Sequence, residues 1–226
     1  MAYEDFTPFT EDTVDELSCS VADVYKVFSS LDVNKAIGPD AISPRILKEC
    51  AAELAPSISQ LFNLSLGHGK LPSVWKSANV VPIHKYGERT LAENYRPVSL
   101  ISILVKCLER IIHKHIMNFL THHRLLSESQ HGFTEARSCV TQLLQLLHSW
   151  YSSLEKGDSG DVIFLDFEKA FDKVSHHHLL YKLQAFGVIC FPGFMTICQT
   201  VHKESLLEVI HQNGWRCPLV FLKGVY

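Results

Sequence analysis

The sequence predicts a helix-rich α/β protein. Long stretches carry apolar residues every three or four positions, which is typical of amphipathic helices. Two shorter stretches, Ala78–Ile83 and Asp161–Phe167, are strand-like, because they are apolar without that period. Hydrophobic residues make up 46% and charged residues 20% of the 226 positions. This composition supports a packed core and excludes wholesale disorder.

The bounds of the predicted helices follow from the apolar period and from capping residues. Ser43 followed by Pro44 is an arrangement that opens a helix, because serine caps a free amide and proline lacks one. Ser175 is a similar cap, and Gly187 ends the helix that Ser175 begins. The predicted helices are residues 10–28, 44–53, 56–66, 102–120, 140–151 and 176–186. Residues 34–40 are predicted as loop, and residues 91–97 as loop or extended chain.

Charge is distributed unevenly along the chain. The net charge is −3. Residues 1–32 hold eight acids and one lysine, which gives −7, whereas residues 70–137 hold ten Lys or Arg and five acids, which gives +5. An anionic partner would dock on this central block. The alternative is a solvated surface of mixed charge.

Several classes of protein are disfavoured. No run of 18 apolar residues exists, so no membrane span is expected. The acidic start lacks the apolar core of a secretory signal. The seven cysteines are scattered and form no CxxC, which favours free thiols in a reducing compartment. We therefore expect an intracellular protein, cytoplasmic or nuclear, that is not secreted.

A buried strand that ends in a carboxylate is the strongest chemical signal. The apolar run before Asp166 predicts a strand covered on both faces, and a carboxylate there needs a cation, a donor or a metal. The segment FLDFEKAFDKV (164–174) follows four others in order: NKAIGPDAI (34–42), KLPSVWKSANVVPIHK (70–85), NYRPVSL (94–100) and QHGFTEARS (130–138). As an ordered set they resemble the reverse transcriptases of non-LTR retrotransposons, of the LINE and jockey-like kind, over residues 6–188.

That resemblance implies the fingers and an incomplete palm of a right-hand polymerase. Asp166 would be the catalytic residue and would hold Mg²⁺ together with the backbone carbonyl of Phe167, because Mg²⁺ prefers oxygen ligands. Phe171 would be the gate against a ribonucleotide 2′-hydroxyl. The implied partners are an RNA template, a DNA primer and a deoxynucleoside triphosphate.

The resemblance also assigns three basic residues of the fingers. Lys85, Arg96 and Arg137 would face the template backbone or the incoming triphosphate, for which the planar fork of arginine is well suited. The alternative for each is a solvated or salt-bridged side chain. Two departures weaken the QHGFTEARS segment (130–138): Thr134 stands where the family has Arg or Lys, and Ala136 where it has Gly.

The family pattern stops after its first aspartate. No aspartate follows Asp172, and Glu204 and Glu208 do not form a Y/F-x-DD hairpin. One carboxylate cannot place two metal ions, so the chain alone is predicted to be inactive as a polymerase. Three adjacent histidines, 176–178, point about 100° apart on a helix and are not predicted to bind a metal.

The resemblance divides the chain into three segments. Residues 1–60 are predicted as an N-terminal helical extension, 61–188 as a partial reverse transcriptase domain, and 189–226 as a non-homologous, poorly ordered tail. Reading one nucleotide earlier permits two family motifs in the tail, twenty residues apart. We therefore predict a frameshift soon after residue 188, in the gene or in the gene model. Three functions stay open: a polymerase fragment, a nucleic-acid-binding remnant, or a non-functional product of a decayed element. The oligomeric state is also open.

Overall fold

A computed structural model gives the architecture, which is mixed α/β and helix-rich, as predicted. The structure describes residues 9–14, 17–132, 134–158, 160–161, 175–188 and 222–223. The chain forms two compact units. The hairpin unit comprises residues 14–115 and 188–202, and the α5 unit comprises 1–13, 116–187 and 203–226. These bounds differ from the three segments drawn by resemblance, and that division stays a prediction.

Three helices form the first part of the hairpin unit. They are α1 (Val21–Ser29), α2 (Pro44–Glu49) and α3 (Ala51–His68). Val24 and Phe28 of α1 and Phe62 of α3 are fully buried. The Phe62 ring packs edge-on against the Trp75 ring, with 5.9 Å between the ring centroids. The predicted opening of α2 is confirmed, because the Ser43 side chain accepts a hydrogen bond from the Arg45 amide at 3.3 Å.

The prediction that α1 begins at Thr10 is wrong, since the helix begins at Val21. The side chains of Asn63 and Ser59 form hydrogen bonds with the backbone of Cys19. Asn63 accepts from the Cys19 amide at 2.8 Å, and Ser59 donates to the Cys19 carbonyl at 2.7 Å. These groups are therefore bonded to α3 instead of to a helical turn. Ser20 then caps α1 by accepting from the Asp23 amide.

The predicted start of α3 at Pro56 is also wrong, because the helix begins at Ala51 and includes the proline. A proline inside a helix removes one backbone hydrogen bond. Burial offsets this loss, since Ala51 and Ala55 are 3% and 0% exposed. The helix ends at His68, two residues beyond the predicted 66, and Gly69 follows it with a left-handed φ of 66°.

An antiparallel hairpin and a long helix complete the hairpin unit. Strand β1 (Ala78–His84) confirms the first predicted strand, and it pairs with β2 (Tyr95–Ile101) along its whole length. The predicted loop or extended segment at 91–97 thus becomes a short 3₁₀ turn followed by strand. Helix α4 (Ile103–His122) follows almost directly and confirms the helix predicted at 102–120.

The α5 unit holds the end of α4 and two further helices, both predicted. They are α5 (Cys139–Glu155) and α6 (His176–Ala185), which ends before Gly187 at φ 81°. The segment before α1 contacts α6, because the Phe9 ring stacks on Phe186 at 4.9 Å. Strand β3 (Gly160–Asp161) pairs with β4 (Leu222–Lys223). The rest of the predicted strand 161–167 lies outside the described residues.

Candidate nucleic-acid interface

The loop that joins β1 to β2 is closed by a set of local hydrogen bonds. The Lys85 amide donates to the Asn94 carbonyl at 2.8 Å, which extends the strand ladder by one step. Asn94 donates to the Glu88 carbonyl, and the Tyr95 hydroxyl donates to the Arg89 carbonyl at 2.9 Å. These bonds hold the turn in one shape, so the basic residues beside it have a defined backbone.

Lys85 and Arg96 lie on the same face of this hairpin. Ile83 pairs with Arg96, and Lys85 is two residues beyond Ile83 in the extended ladder. Alternate residues of a strand share a face, and paired residues share it too, so the two cations are diagonal neighbours about 7 Å apart. Both side chains are exposed. Among the described residues, nothing pairs with the Arg96 guanidinium, while the Lys85 ammonium lies 5.1 Å from the Tyr86 ring centre. The arrangement can accept a multivalent anion.

Arg137 has a different environment in the α5 unit. Its Nη1 donates to the carbonyl of Gln130 at 2.6 Å and to that of Glu128. The side chain is half-buried and holds the turn that precedes α5. One edge of the guanidinium is therefore occupied by the protein itself, which sequence could not reveal. Its predicted contact with phosphate stays a prediction.

His131 is a site residue that the sequence analysis did not identify. It is 8% exposed, and its ring nitrogens contact the Thr141 hydroxyl at 2.8 Å and the Gln145 side-chain oxygen at 2.6 Å. It thereby ties the segment containing Arg137 to α5. The available signal was its place between Gln130 and Gly132, inside a segment already identified as functional.

The predicted catalytic centre lies outside the described residues. Asp166, Phe167 and Phe171 all fall in the stretch 162–174. Elsewhere, within the residues that are described, no group of three His, Cys, Asp or Glu side chains could hold a metal ion. No helix in the described part of the chain has the length and apolar character needed to cross a bilayer.

The fold and site define a helix-rich α/β protein with an exposed basic hairpin. The chain belongs to the reverse transcriptase (RNA-dependent DNA polymerase) family, whose profile matches residues 83–215. This range includes both hairpin cations, Arg137 and Asp166. It also passes residue 188, so the match runs into the segment predicted as a non-homologous tail. The predicted frameshift itself remains untested.

Curated relatives confirm the resemblance to jockey-like non-LTR elements. The chain is 30% identical over 164 residues to the RNA-directed DNA polymerase from mobile element jockey of Drosophila melanogaster, which covers 72% of this chain and 18% of that protein. It is 32% identical over 168 residues to a probable RNA-directed DNA polymerase from transposon X-element, covering 74% and 18%. A probable RNA-directed DNA polymerase from transposon BS is 28% identical over 207 residues, covering 91% and 22%. The X-element and BS proteins also come from Drosophila melanogaster. The chain thus spans about a fifth of the length of these relatives.

Proposed function

We propose that this chain is the fingers and incomplete palm of an RNA-directed DNA polymerase, and that its hairpin holds phosphates of the primer–template or the incoming nucleotide. One observation carries the proposal: Lys85 and Arg96 share an exposed face within the family match. Two adjacent cations neutralise more than one phosphate oxygen, and the arginine adds paired donors. Arg137 would contact phosphate separately, through guanidinium nitrogens other than the Nη1 that bonds Gln130 and Glu128.

A magnesium ion fits the donor types at the proposed catalytic centre. The carboxylate of Asp166 and the backbone carbonyl of Phe167 are hard oxygen donors, which Mg²⁺ prefers. When bound, the ion would stabilise charge on the attacking 3′-oxygen and on the leaving pyrophosphate. Phe171 would exclude a ribonucleotide 2′-hydroxyl by its bulk. A second carboxylate pair does not occur among the residues after Asp172.

A salt titration of primer–template binding tests the hairpin proposal. Each phosphate contact adds about 0.9 to the slope of log K against log salt for a duplex. Lys85→Gln and Arg96→Gln should each lower this slope by about 1 and weaken binding about tenfold at low salt. Lys26→Gln, an equal loss of charge on the exposed side of α1, is the matched control. Unchanged slopes in both hairpin variants would refute the proposed interface.

Primer extension with Mg²⁺ tests whether this chain works as a polymerase by itself. We expect no incorporation, because one motif aspartate cannot place two ions. Incorporation that Asp166→Asn abolishes would overturn this expectation. A chain that binds primer–template without extending it is the second candidate function, a nucleic-acid-binding remnant.

The backbone conformation of two alanines in loops favours the second candidate function, a nucleic-acid-binding remnant. Ala41 and Ala136 have positive φ of 56° and 61°. The corresponding signature positions, GPDGI and the QxGF segment, carry glycine in the family. Left-handed φ costs an alanine about 1–2 kcal/mol relative to right-handed backbone, so both replacements add strain. This is what drift without selection would produce.

The proposed setting is the interior of a cell. Cys19 and Cys107 are buried thiols, and desolvation raises the pKa of each to about 12. Cys50 and Cys139 are exposed and free. Unpaired, exposed thiols are what a reducing compartment maintains.

A further inference from the structure

The hairpin is supported mainly at its base. Val80 and Ile83 belong to opposite faces of the hairpin by alternation, and they are 62% and 52% exposed. Within the two strands, full burial is reached at the end of β2, where Ile101 is 7% exposed. An isolated two-stranded hairpin is marginally stable in water. The residues that contact the base of the hairpin therefore determine the direction in which its strands extend.

The turn at 38–42, which follows the loop after α1, contacts this base. Gly38 lies so close that a Cβ there would come within 2.6 Å of the Ile101 carbonyl oxygen and 2.7 Å of the Ser102 nitrogen. The turn is closed by the Ala41 amide, which donates to the Gly38 carbonyl at 3.2 Å. Only glycine allows this approach of two backbones.

Asp40 adds a polar contact at the same place. Its Oδ2 accepts a hydrogen bond from the Ser102 hydroxyl at 2.5 Å, and its Oδ1 accepts from the Ile42 amide. Ser102 is 0% exposed and its hydroxyl oxygen also accepts from the Leu104 amide at 3.2 Å. The single hydroxyl proton is thus committed to Asp40, and one side chain links the 38–42 turn, the end of β2 and the start of α4.

We infer that Asp40 is a positioning residue, which sets the direction of the hairpin and so the place of Lys85 and Arg96. This inference rests on the proposed function of those two cations. From Ile101 to Tyr95 the strand spans about 20 Å, so a tilt of about 10° at the base moves the far end by about 3–4 Å. A shift of that size is enough to break a hydrogen-bonded contact with phosphate.

The test is a double-mutant cycle in primer–template binding, with the folded fraction of each variant measured by circular dichroism. Asp40→Ala should weaken binding about tenfold and lower the salt slope toward that of Arg96→Gln. Added to a Lys85→Gln/Arg96→Gln double variant, it should have little further effect, because both contacts that Asp40 positions are already lost. Asp40→Asn should restore most of the binding, since its amide oxygen can accept from Ser102 and only the long 3.4 Å bond from the Ile42 amide is lost. Asp32→Asn, the same change at an exposed turn of the preceding loop, is the control.

Outcomes separate the two proposals. If Lys85→Gln and Arg96→Gln have no effect, the proposed function fails. If they act but folded Asp40→Ala binds normally, or if it weakens binding further in the Lys85→Gln/Arg96→Gln double variant, the positioning role fails alone. Should Asp40→Ala not fold, Ser102→Gly decides, because it removes the hydroxyl, together with its CH₂ group, at a helix cap where glycine is tolerated. If neither variant folds, the contact maintains the fold and the inference is overturned.

Discussion

Helices α4 and α5 have the same kind of sequence pattern and opposite environments. Both show apolar residues at helical spacing, and both were predicted. In α4, Ile112 and Ile116 are fully buried. In α5, which is entirely described, no residue is buried, and Leu144 and Leu154 are 60% and 69% exposed. The apolar period therefore predicts a helix and its apolar face, but it does not predict what covers that face.

The two helices are consequently stabilised by different means. α4 begins at a buried serine and packs along its length, so tertiary contacts hold it. α5 relies on local bonds at its start, where Ser138 and Thr141 form a reciprocal capping box. Helices in water gain most of their stability from packing of an apolar face. We expect α5 to open more readily than α4.

The largest expected difference between α4 and α5 is in the stability lost when an apolar side chain is truncated to alanine. Ile112→Ala should lower the free energy of unfolding by about 2–5 kcal/mol, because it leaves a cavity. Leu144→Ala on α5 should change it by less than about 0.5 kcal/mol, as exposed substitutions do. Urea unfolding followed by circular dichroism measures both. A cost at Leu144 as large as that at Ile112 would show that something covers the α5 face in solution.

The next effect concerns the cap of α5. Ser138→Ala should destabilise the helix by about 1 kcal/mol, because it leaves the Thr141 amide without its acceptor. Since α5 buries no residue, the loss should appear as faster hydrogen exchange in α5 and not in α4. Ser149→Ala, in the exposed middle of the same helix, should leave exchange unchanged or slow it. Equal effects at the two serines would contradict the role of the cap.

A smaller change in stability is expected at the two alanines with left-handed backbone. Ala41 lies in the turn that contacts the start of α4, and Ala136 precedes α5. Ala41→Gly and Ala136→Gly should each stabilise by about 0.5–1 kcal/mol, since the relief of strain exceeds the added entropy of the unfolded chain. Ala52→Gly inside α3 should instead cost about 1 kcal/mol. Thermal unfolding distinguishes the signs. A loss at Ala41 would mean that its backbone carries no strain.

The smallest expected effect is a pH dependence in α4. Burial lowers the pKa of His113 below its ordinary value of 6.5. The unfolded chain then binds a proton before the folded chain as the pH falls. The free energy of unfolding should be highest above pH 6.5 and should fall as pH drops below it. His113→Gln should flatten this dependence, whereas His148→Gln on α5 should retain it. Urea midpoints measured between pH 5 and 8 provide the comparison.

Sequence predicted the elements whose signals are local. Ser43 with Pro44, and Gly187, marked helix ends correctly because capping depends on a few adjacent residues. It failed at α1 because the backbone of Cys19 is bonded by Asn63, 44 residues away in the chain. It also failed at Pro56, where burial of the neighbouring Ala51 and Ala55 offsets a local penalty. Tertiary contacts decided both cases.

The candidate site divides in the same way. Lys85 and Arg96 were identified from motifs, and the strand register then places them on one face. The bonds of Arg137 to backbone carbonyls and the contact between Asp40 and Ser102 depend on folded geometry, so no motif could indicate them. Asp166, Phe167 and Phe171 remain predictions of the resemblance.

The segment around Phe9 has a practical consequence for recombinant work. Gly187 lies against it so closely that an added Cβ would come within 2.2 Å of the Asp12 carbonyl oxygen. The Asp12 carboxylate is also 3.3 Å from His123. Removing residues 1–12 would uncover the Phe186 ring and remove the contact between Asp12 and His123. A recombinant protein that begins where the family match begins, at residue 83, would expose this apolar surface and be prone to aggregate.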